Sequence, residues 1–307
     1  MTELDPEIRA FTELLSAGWR EHPPLSELSL PEARAVAEKV RERWRAGGPE
    51  MERTEEADFP TPAGPMRVRR YVPADASDTA SIVYLHGGGF TFFSIDTHDR
   101  IMREYASAAG IEVFGLDYAL SPEHKFPVAL EQALAFVRDL ADRNAGAGLI
   151  LAGDSAGANL ALSAAARLRD EGKNGLISGL VLNYGAFGPG NSDEAERRFG
   201  GPDAILNRAE MEYFWNNYLQ GEEDYRNPAA NLLEADLSGL PPVLLVVPEC
   251  DILTEQSHAI AGKLGPQAEL RVYPGATHSF LEAMSVSSLA RRAIAETALW
   301  VRERLPE

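Results

Sequence analysis

A serine that attacks a carbonyl has to stand clear of its own backbone, and Gly153-Asp154-Ser155-Ala156-Gly157 offers such a place. The segment fits G-x-S-x-G. Ahead of it, Leu149-Ile150-Leu151-Ala152 follows Gly148 and reads as a short buried strand. Behind it, residues 158–168 are rich in strong helix formers. A strand turning sharply into a helix at a serine exposes the hydroxyl. The small neighbours Gly153, Ala156 and Gly157 permit so tight a turn. The first N–H groups of the helix then face the place where negative charge develops. Such a pattern also arises by chance as a plain loop; the strand before it and the helix after it decide for a nucleophile.

A serine hydroxyl is weak until a base takes its proton, and the fitting base is a histidine oriented by a carboxylate. In sheets joined by helical crossovers, sites lie at the carboxyl ends of strands. The chain has six histidines. His22 stands beside Pro23-Pro24, His98 and His258 fall on expected helices, and His124 sits in a proline-bounded loop. His278 follows an expected strand at 269–273 and is the candidate base. The carboxylate should follow the strand expected at 243–247, where Glu249 and Asp251 both stand. Asp251 is preferred, because a short side chain just before a helix can be held by backbone N–H groups. Glu249 is the alternative.

His86-Gly87-Gly88-Gly89 leaves a central strand expected at 81–85. Glycines let backbone N–H groups approach a substrate oxygen with no side chain in the way. Gly88 and Gly89 are the expected oxyanion donors, with the N–H of Ala156 as the third. His86 reads as a structural hydrogen-bonder that holds this loop. Phe90, Phe92 and Phe93 follow directly, and a later helix adds Phe214 and Trp215. Phe90, Phe214 and Trp215 are expected to contact substrate; Phe92 and Phe93 serve equally well as core.

These motifs, in this order, resemble the hormone-sensitive-lipase-like carboxylesterases of the α/β-hydrolase fold. The likeness rests on His86-Gly87-Gly88-Gly89-Phe90, on Asp117-Tyr118-Ala119-Leu120-Ser121-Pro122-Glu123-His124, on Gly153-Asp154-Ser155-Ala156-Gly157-Ala158-Asn159 and on His278-Ser279-Phe280. It runs from about residue 80 to the end. The resemblance implies an eight-stranded, mostly parallel sheet, a cap made of N-terminal helices and an inserted helical segment, and hydrolysis of small-acyl esters with no metal or cofactor. Glu123 matches a position that anchors a loop in that family. Two departures stand out: Ile252 replaces a proline after the acid, and Gly185 stands where proline is common. Lactone or amide hydrolysis by the same triad is a second reading, and a non-catalytic small-molecule binder on this fold is a third.

The elements that must position these groups follow from periodicity. Ile8, Phe11, Leu14, Leu15 and Trp19 have helical spacing. Pro31 opens a second helix to Arg45, with Ala33, Val36, Ala37, Val40 and Trp44 on one face. Residues 1–48 are therefore expected as two attached cap helices, and 49–307 as the catalytic domain. Residues 66–72 read as an exposed edge strand because of their arginines. Asp96 is expected to cap a helix from 97 to 109, with Asp99 completing a partial capping box. Strands are expected at 111–116 and 180–184, and helices at 128–143, 208–219, 255–264 and 285–304. A helical insertion at about 188–230 separates the strands at 180–184 and 243–247. Such alternation implies a mostly parallel α/β sheet covered on both faces.

The 307 residues carry a net charge of −18, which argues against nucleic acid and against an anionic membrane surface. No apolar run reaches the roughly 18 residues of a membrane span, and the acidic start lacks the features of a signal peptide. Cys250 is the lone cysteine, which suits a cytoplasmic protein and reads as a small core residue. No group of His, Cys and carboxylates has metal-ligand spacing. The expected partner is a small-molecule ester, and the expected assembly a monomer or homodimer.

Overall fold

The computed structural model describes residues 3–144, 146–201 and 204–305. Two helices come first, α1 (Pro6–Arg20) and α2 (Leu30–Arg45). Asp5 starts α1 by accepting the N–H groups of Glu7 and Ile8 at 2.9 and 3.2 Å, with Pro6 at the position where its missing donor costs nothing. Ser29 and Glu32 form a capping box on α2.

Strands β1 (Arg53–Phe59), β2 (Met66–Val72) and β3 (Ser77–Leu85) follow. Then come α3 (Asp99–Ala109), β4 (Ile111–Asp117), α4 (Val128–Arg143), β5 (Gly148–Asp154), α5 (Ala156–Asp170) and β6 (Ile177–Asn183). Between β6 and β7 (Val243–Cys250) lie α6 (Asp193–Phe199) and α7 (Arg208–Tyr218). The chain closes with α8 (Thr254–Leu264), β8 (Ala268–Thr277) and α9 (Ser288–Arg302).

All eight strands form one sheet in the order β1-β2-β4-β3-β5-β6-β7-β8. β1, β2 and β4 pair antiparallel; the remaining pairings are parallel. The α/β-hydrolase arrangement expected from the motifs is what the chain adopts. Along β3, Ile82 and Tyr84 pack with α1, α2, α3 and α9 on one face, while Val83 and Leu85 pack with α4, α5 and α8 on the other. Burial on both faces is why the central strands are apolar throughout instead of alternating.

Three expectations need correction. β2 is an inner strand, flanked by β1 and β4. Its arginines are neutralised by neighbours instead of meeting water. Arg69 pairs with Glu56, Asp96 and Asp99, and Arg70 with Glu112 at 2.6 Å. The true edge is β1, an acidic exposed strand that periodicity did not reveal. Asp96 caps no helix, because Arg67 and Arg69 hold its carboxylate; α3 begins at Asp99 behind His98, and Asp99 is itself taken by Arg69, Tyr71 and Arg103. The last helix starts later than expected, since residues 280–285 form a separate tighter turn and Ser287 caps α9.

Candidate active site

Ser155 stands between β5 and α5 with φ 51° and ψ −117°, a conformation L-residues rarely adopt. Its backbone is held there: the N–H donates to Asn183 O at 2.9 Å and the carbonyl accepts from Ala186 N–H at 3.1 Å. Gly157 is required by the same turn, since a Cβ there would run into the carbonyl of Leu85. The sharp strand–Ser–helix turn read from residues 148–168 is thus present.

The structure brings Ser155, His278 and Asp251 into one hydrogen-bonded row. His278 Nε2 lies 3.1 Å from Ser155 Oγ, and His278 Nδ1 lies 2.7 Å from Asp251 Oδ2. All three are buried. Asp251 is fixed by its other oxygen, which accepts the Leu253 N–H at 3.0 Å. Glu249 turns elsewhere and accepts the N–H of Gly275 at 3.1 Å. Burial works to lower the pKa of His278, but the Asp251 carboxylate, its hydrogen bond and the more distant Asp154 and Glu282 outweigh it, so the net shift is upward.

The glycine loop after β3 lies beside this row. Gly88 and Gly89 have φ of 112° and 59°. Their N–H groups meet no acceptor among the described residues, which leaves them free for a substrate oxygen. A Cβ on Gly89 would strike the ring of Phe214. A group missed by sequence reading anchors the loop. Asp154 accepts the N–H of Gly87 at 3.0 Å and the hydroxyl of Tyr84 at 2.8 Å, with His98 Nε2 3.3 Å away. Burial acts to raise the Asp154 pKa; His98 and Tyr84 overcome it and hold it low. The one available signal was the position of Asp154 inside the turn itself.

His86 donates from Nδ1 to Gly87 O at 2.7 Å and stacks on Tyr118 with ring centroids 4.3 Å apart. Burial and the nearby His98 push its pKa down to about 4, so it is neutral at pH 7. Cys250 is buried, and burial raises its thiol pKa, as befits a core residue.

A cavity of about 410 Å³ opens above Ser155. Its walls come from α1, α2, the glycine loop, α7 and the turn after β8. Phe214, half-buried, faces it together with Phe92 and Phe93. Phe90 and Trp215 line it too, and both are almost fully buried: Phe90 stacks on Tyr218 at 3.7 Å and meets Trp215 edge-on at 5.6 Å. Phe92 also packs on Ala33 and Ala37 of α2. Arg34 of α2 clamps the neighbouring loops, donating to Thr91 O, Ser121 O and both Glu123 oxygens at 2.7–2.8 Å. Of the two departures from the family motifs, Gly185 leaves room for the ring of Phe187, and Ile252 is fully buried.

Among the described residues no group of three or more His, Cys, Asp or Glu is placed to hold a metal ion, and no helix is long and apolar enough to cross a membrane.

A doubly covered, mostly parallel sheet with a serine at a strained strand–helix turn defines an α/β hydrolase. Residues 82–282 match the family model described as alpha/beta hydrolase fold. Acetyl esterase of Salmonella agona is 33% identical over 315 residues, spanning 99% of this chain and 96% of that one. The hyperthermophilic esterase of the archaeon Pyrobaculum calidifontis superposes with a TM-score of 0.90 at 31% identity, over 98% of each chain. A thermostable carboxylesterase cloned from a metagenomic library superposes with a TM-score of 0.86 at 31% identity, over 92% of this chain and 99% of that one. The chain belongs to the α/β-hydrolase family. It is a carboxylic-ester hydrolase acting on a small-molecule ester.

Proposed function

We propose that the protein hydrolyses short-chain carboxylic esters through an acyl-enzyme formed on Ser155. The observation that carries this reading is the hydrogen-bonded row Ser155–His278–Asp251 beside unmatched glycine N–H groups. Ser155 Oγ attacks the ester carbonyl while His278 Nε2 takes its proton. The carbonyl oxygen gains negative charge and is received by the N–H groups of Gly88, Gly89 and Ala156. His278 then returns the proton to the leaving alcohol. Water, deprotonated by the same imidazole, attacks the acyl-enzyme and restores the serine. Asp251 keeps Nδ1 protonated, so that Nε2 is the atom free to accept, and it stabilises the imidazolium once formed.

Short acyl groups follow from the wall. α1 and α2 (within 1–48) and the insertion at about 188–230 act as a cap, and Phe214, Phe92 and Phe93 bound the space left for substrate. The similarity to an acetyl esterase supports the same size class. No metal or cofactor enters any step. A cytoplasmic location, agreeing with the lone Cys250, belongs to this reading, as do a monomer or homodimer and the absence of nucleic-acid or membrane partners.

The test is a hydrolysis screen across esters, lactones and anilides with Ser155→Ala as blank. Ester turnover well above lactone and anilide turnover is expected. A preference for lactones or anilides would replace this reading with the second one, and turnover equal to the blank on every substrate would leave only a binder.

A further inference from the structure

The covering helix α2 places a charge where its pattern calls for an apolar residue. Its buried positions are Ala33, Ala37, Val40, Arg41 and Trp44, so Arg41 lies on the inward face. Arg41 is 4% exposed and lines the cavity above Ser155, as does its partner Glu282 in the turn after His278. Arg41 Nη1 donates to Glu282 Oε2 at 2.6 Å, with both side chains buried. The guanidinium also lies over the ring of Phe93, 4.8 Å from its centroid.

Taking both charges of an ion pair out of water is costly, and apolar side chains of similar volume often serve stability as well or better. This pair is therefore weak as a stabilising device. Its geometry is that of a prepared donor. Phe93 takes one face of the plane and Glu282 one edge, so the orientation of the guanidinium is set. A guanidinium carries five N–H donors, and only Nη1 has a protein acceptor among the described residues; Nε is buried with none. Nη2 also has no protein acceptor among the described residues and, unlike Nε, is not sealed from the cavity, so an acceptor oxygen of a ligand there would meet it. Glu282 already provides one negative charge there, so a second carboxylate would be repelled, whereas a carbonyl, ether or hydroxyl oxygen would not.

Resting on the esterase reading above, we propose that Arg41, oriented by Glu282 and Phe93, is a specificity-determining residue that binds a second, uncharged acceptor oxygen of the substrate. The favoured substrates are then short esters oxygenated beyond the scissile group, in preference to pure hydrocarbon esters of the same shape.

Two matched pairs test this, one on each side of the ester: 2-methoxyethyl acetate against butyl acetate, and ethyl acetoacetate against ethyl 3-methylbutanoate. In each, kcat/KM for the oxygenated ester is divided by that for its hydrocarbon partner. The quotient is compared between the wild type and Arg41→Met/Glu282→Met, which cancels intrinsic reactivity and removes both charges together. A hydrogen bond from a charged donor predicts a fall of roughly tenfold in the quotient for at least one pair. Should the double variant fail to fold, Arg41→Lys decides the matter: it keeps the charge opposite Glu282, loses the planar fork, and should lower the same quotient. Quotients within twofold of wild type for both pairs would overturn the inference while ester hydrolysis stood. Turnover equal to the Ser155→Ala blank on all four esters would instead sink the esterase reading beneath it.

Discussion

The floor of the cavity and its cover are built on different principles. At the floor, position is set by backbone: the φ of Ser155, the hydrogen bonds at its N–H and carbonyl, the room left at Gly157, and the strand ends that present Asp251 and His278. In the cover, position is set by side chains: Phe214 against Gly89, Phe92 against α2, Arg41 against Glu282. A main-chain scaffold tolerates few substitutions, whereas a side-chain wall can be altered residue by residue. Chemistry is therefore expected to be brittle at the floor and selectivity plastic in the cover.

The sharpest way to break that contrast is Ser155→Ala. It should lower kcat by about 10³-fold or more while leaving thermal unfolding nearly unchanged, because the oxyanion donors and the fold persist. A folded variant with wild-type turnover would remove the floor's assigned role.

Next in size is Asp251→Asn, expected to cost up to about 10⁴-fold in kcat through the wrong His278 tautomer; Glu249→Gln should cost far less. The same variant carries a pH signature. His278 must be neutral to act as base, and its pKa is raised, so the acid limb of kcat/KM in the wild type should lie above the ordinary value of 6.5. With Asp251 uncharged, burial is left to lower the pKa and the limb should move to lower pH. A limb that stays in place, or a larger loss from Glu249→Gln, would reassign the acid.

A smaller effect joins the two regions. Gly89→Ala should lower kcat by roughly 10–100-fold, since its Cβ collides with Phe214 and displaces an oxyanion donor. Adding Phe214→Ala should recover part of that loss. No recovery would mean that positive φ at residue 89, and not the wall, sets the requirement.

Weaker still is chain-length selectivity. Across p-nitrophenyl esters, kcat/KM should peak between acetate and hexanoate, because each added methylene gains only about 0.8 kcal/mol and overfilling costs roughly 1–3 kcal/mol. Phe214→Ala should move the peak toward longer chains. A wild-type maximum at dodecanoate would mean an open groove.

The same division explains what could be read before the structure. The turn at Ser155 was legible because its sterics demand small residues at fixed spacing, and Asp251 and His278 because strand ends are visible as apolar runs. β1 was not legible. Its carboxylates exist to meet Arg69 and Arg70 across the sheet, a pairing that periodicity does not encode. His98 falls on an expected helix, whereas its role is set by Asp154, 56 residues away in sequence. Arg41 passed unnoticed for the same reason: Glu282, 241 residues distant, is what makes it intelligible. Phe90 and Trp215 do line the cavity, as expected, but their packing on Tyr218 could not be read from proximity in sequence.

One contact in the cover constrains how this enzyme could change. Arg34 reaches from α2 to the carbonyls of Thr91 and Ser121 and to Glu123, and Thr91 belongs to the loop that starts with Gly88 and Gly89. The helix that roofs the pocket is thus also the buttress of the loop beneath it. Shortening the N-terminus to admit a bulkier ester would not merely lift a lid. It would leave two carbonyls without their donor and loosen the groups proposed to receive the oxyanion. Descendants of this chain can widen their diet by recarving the underside of the roof, at positions such as 37, 41, 92 and 214, but not by discarding it.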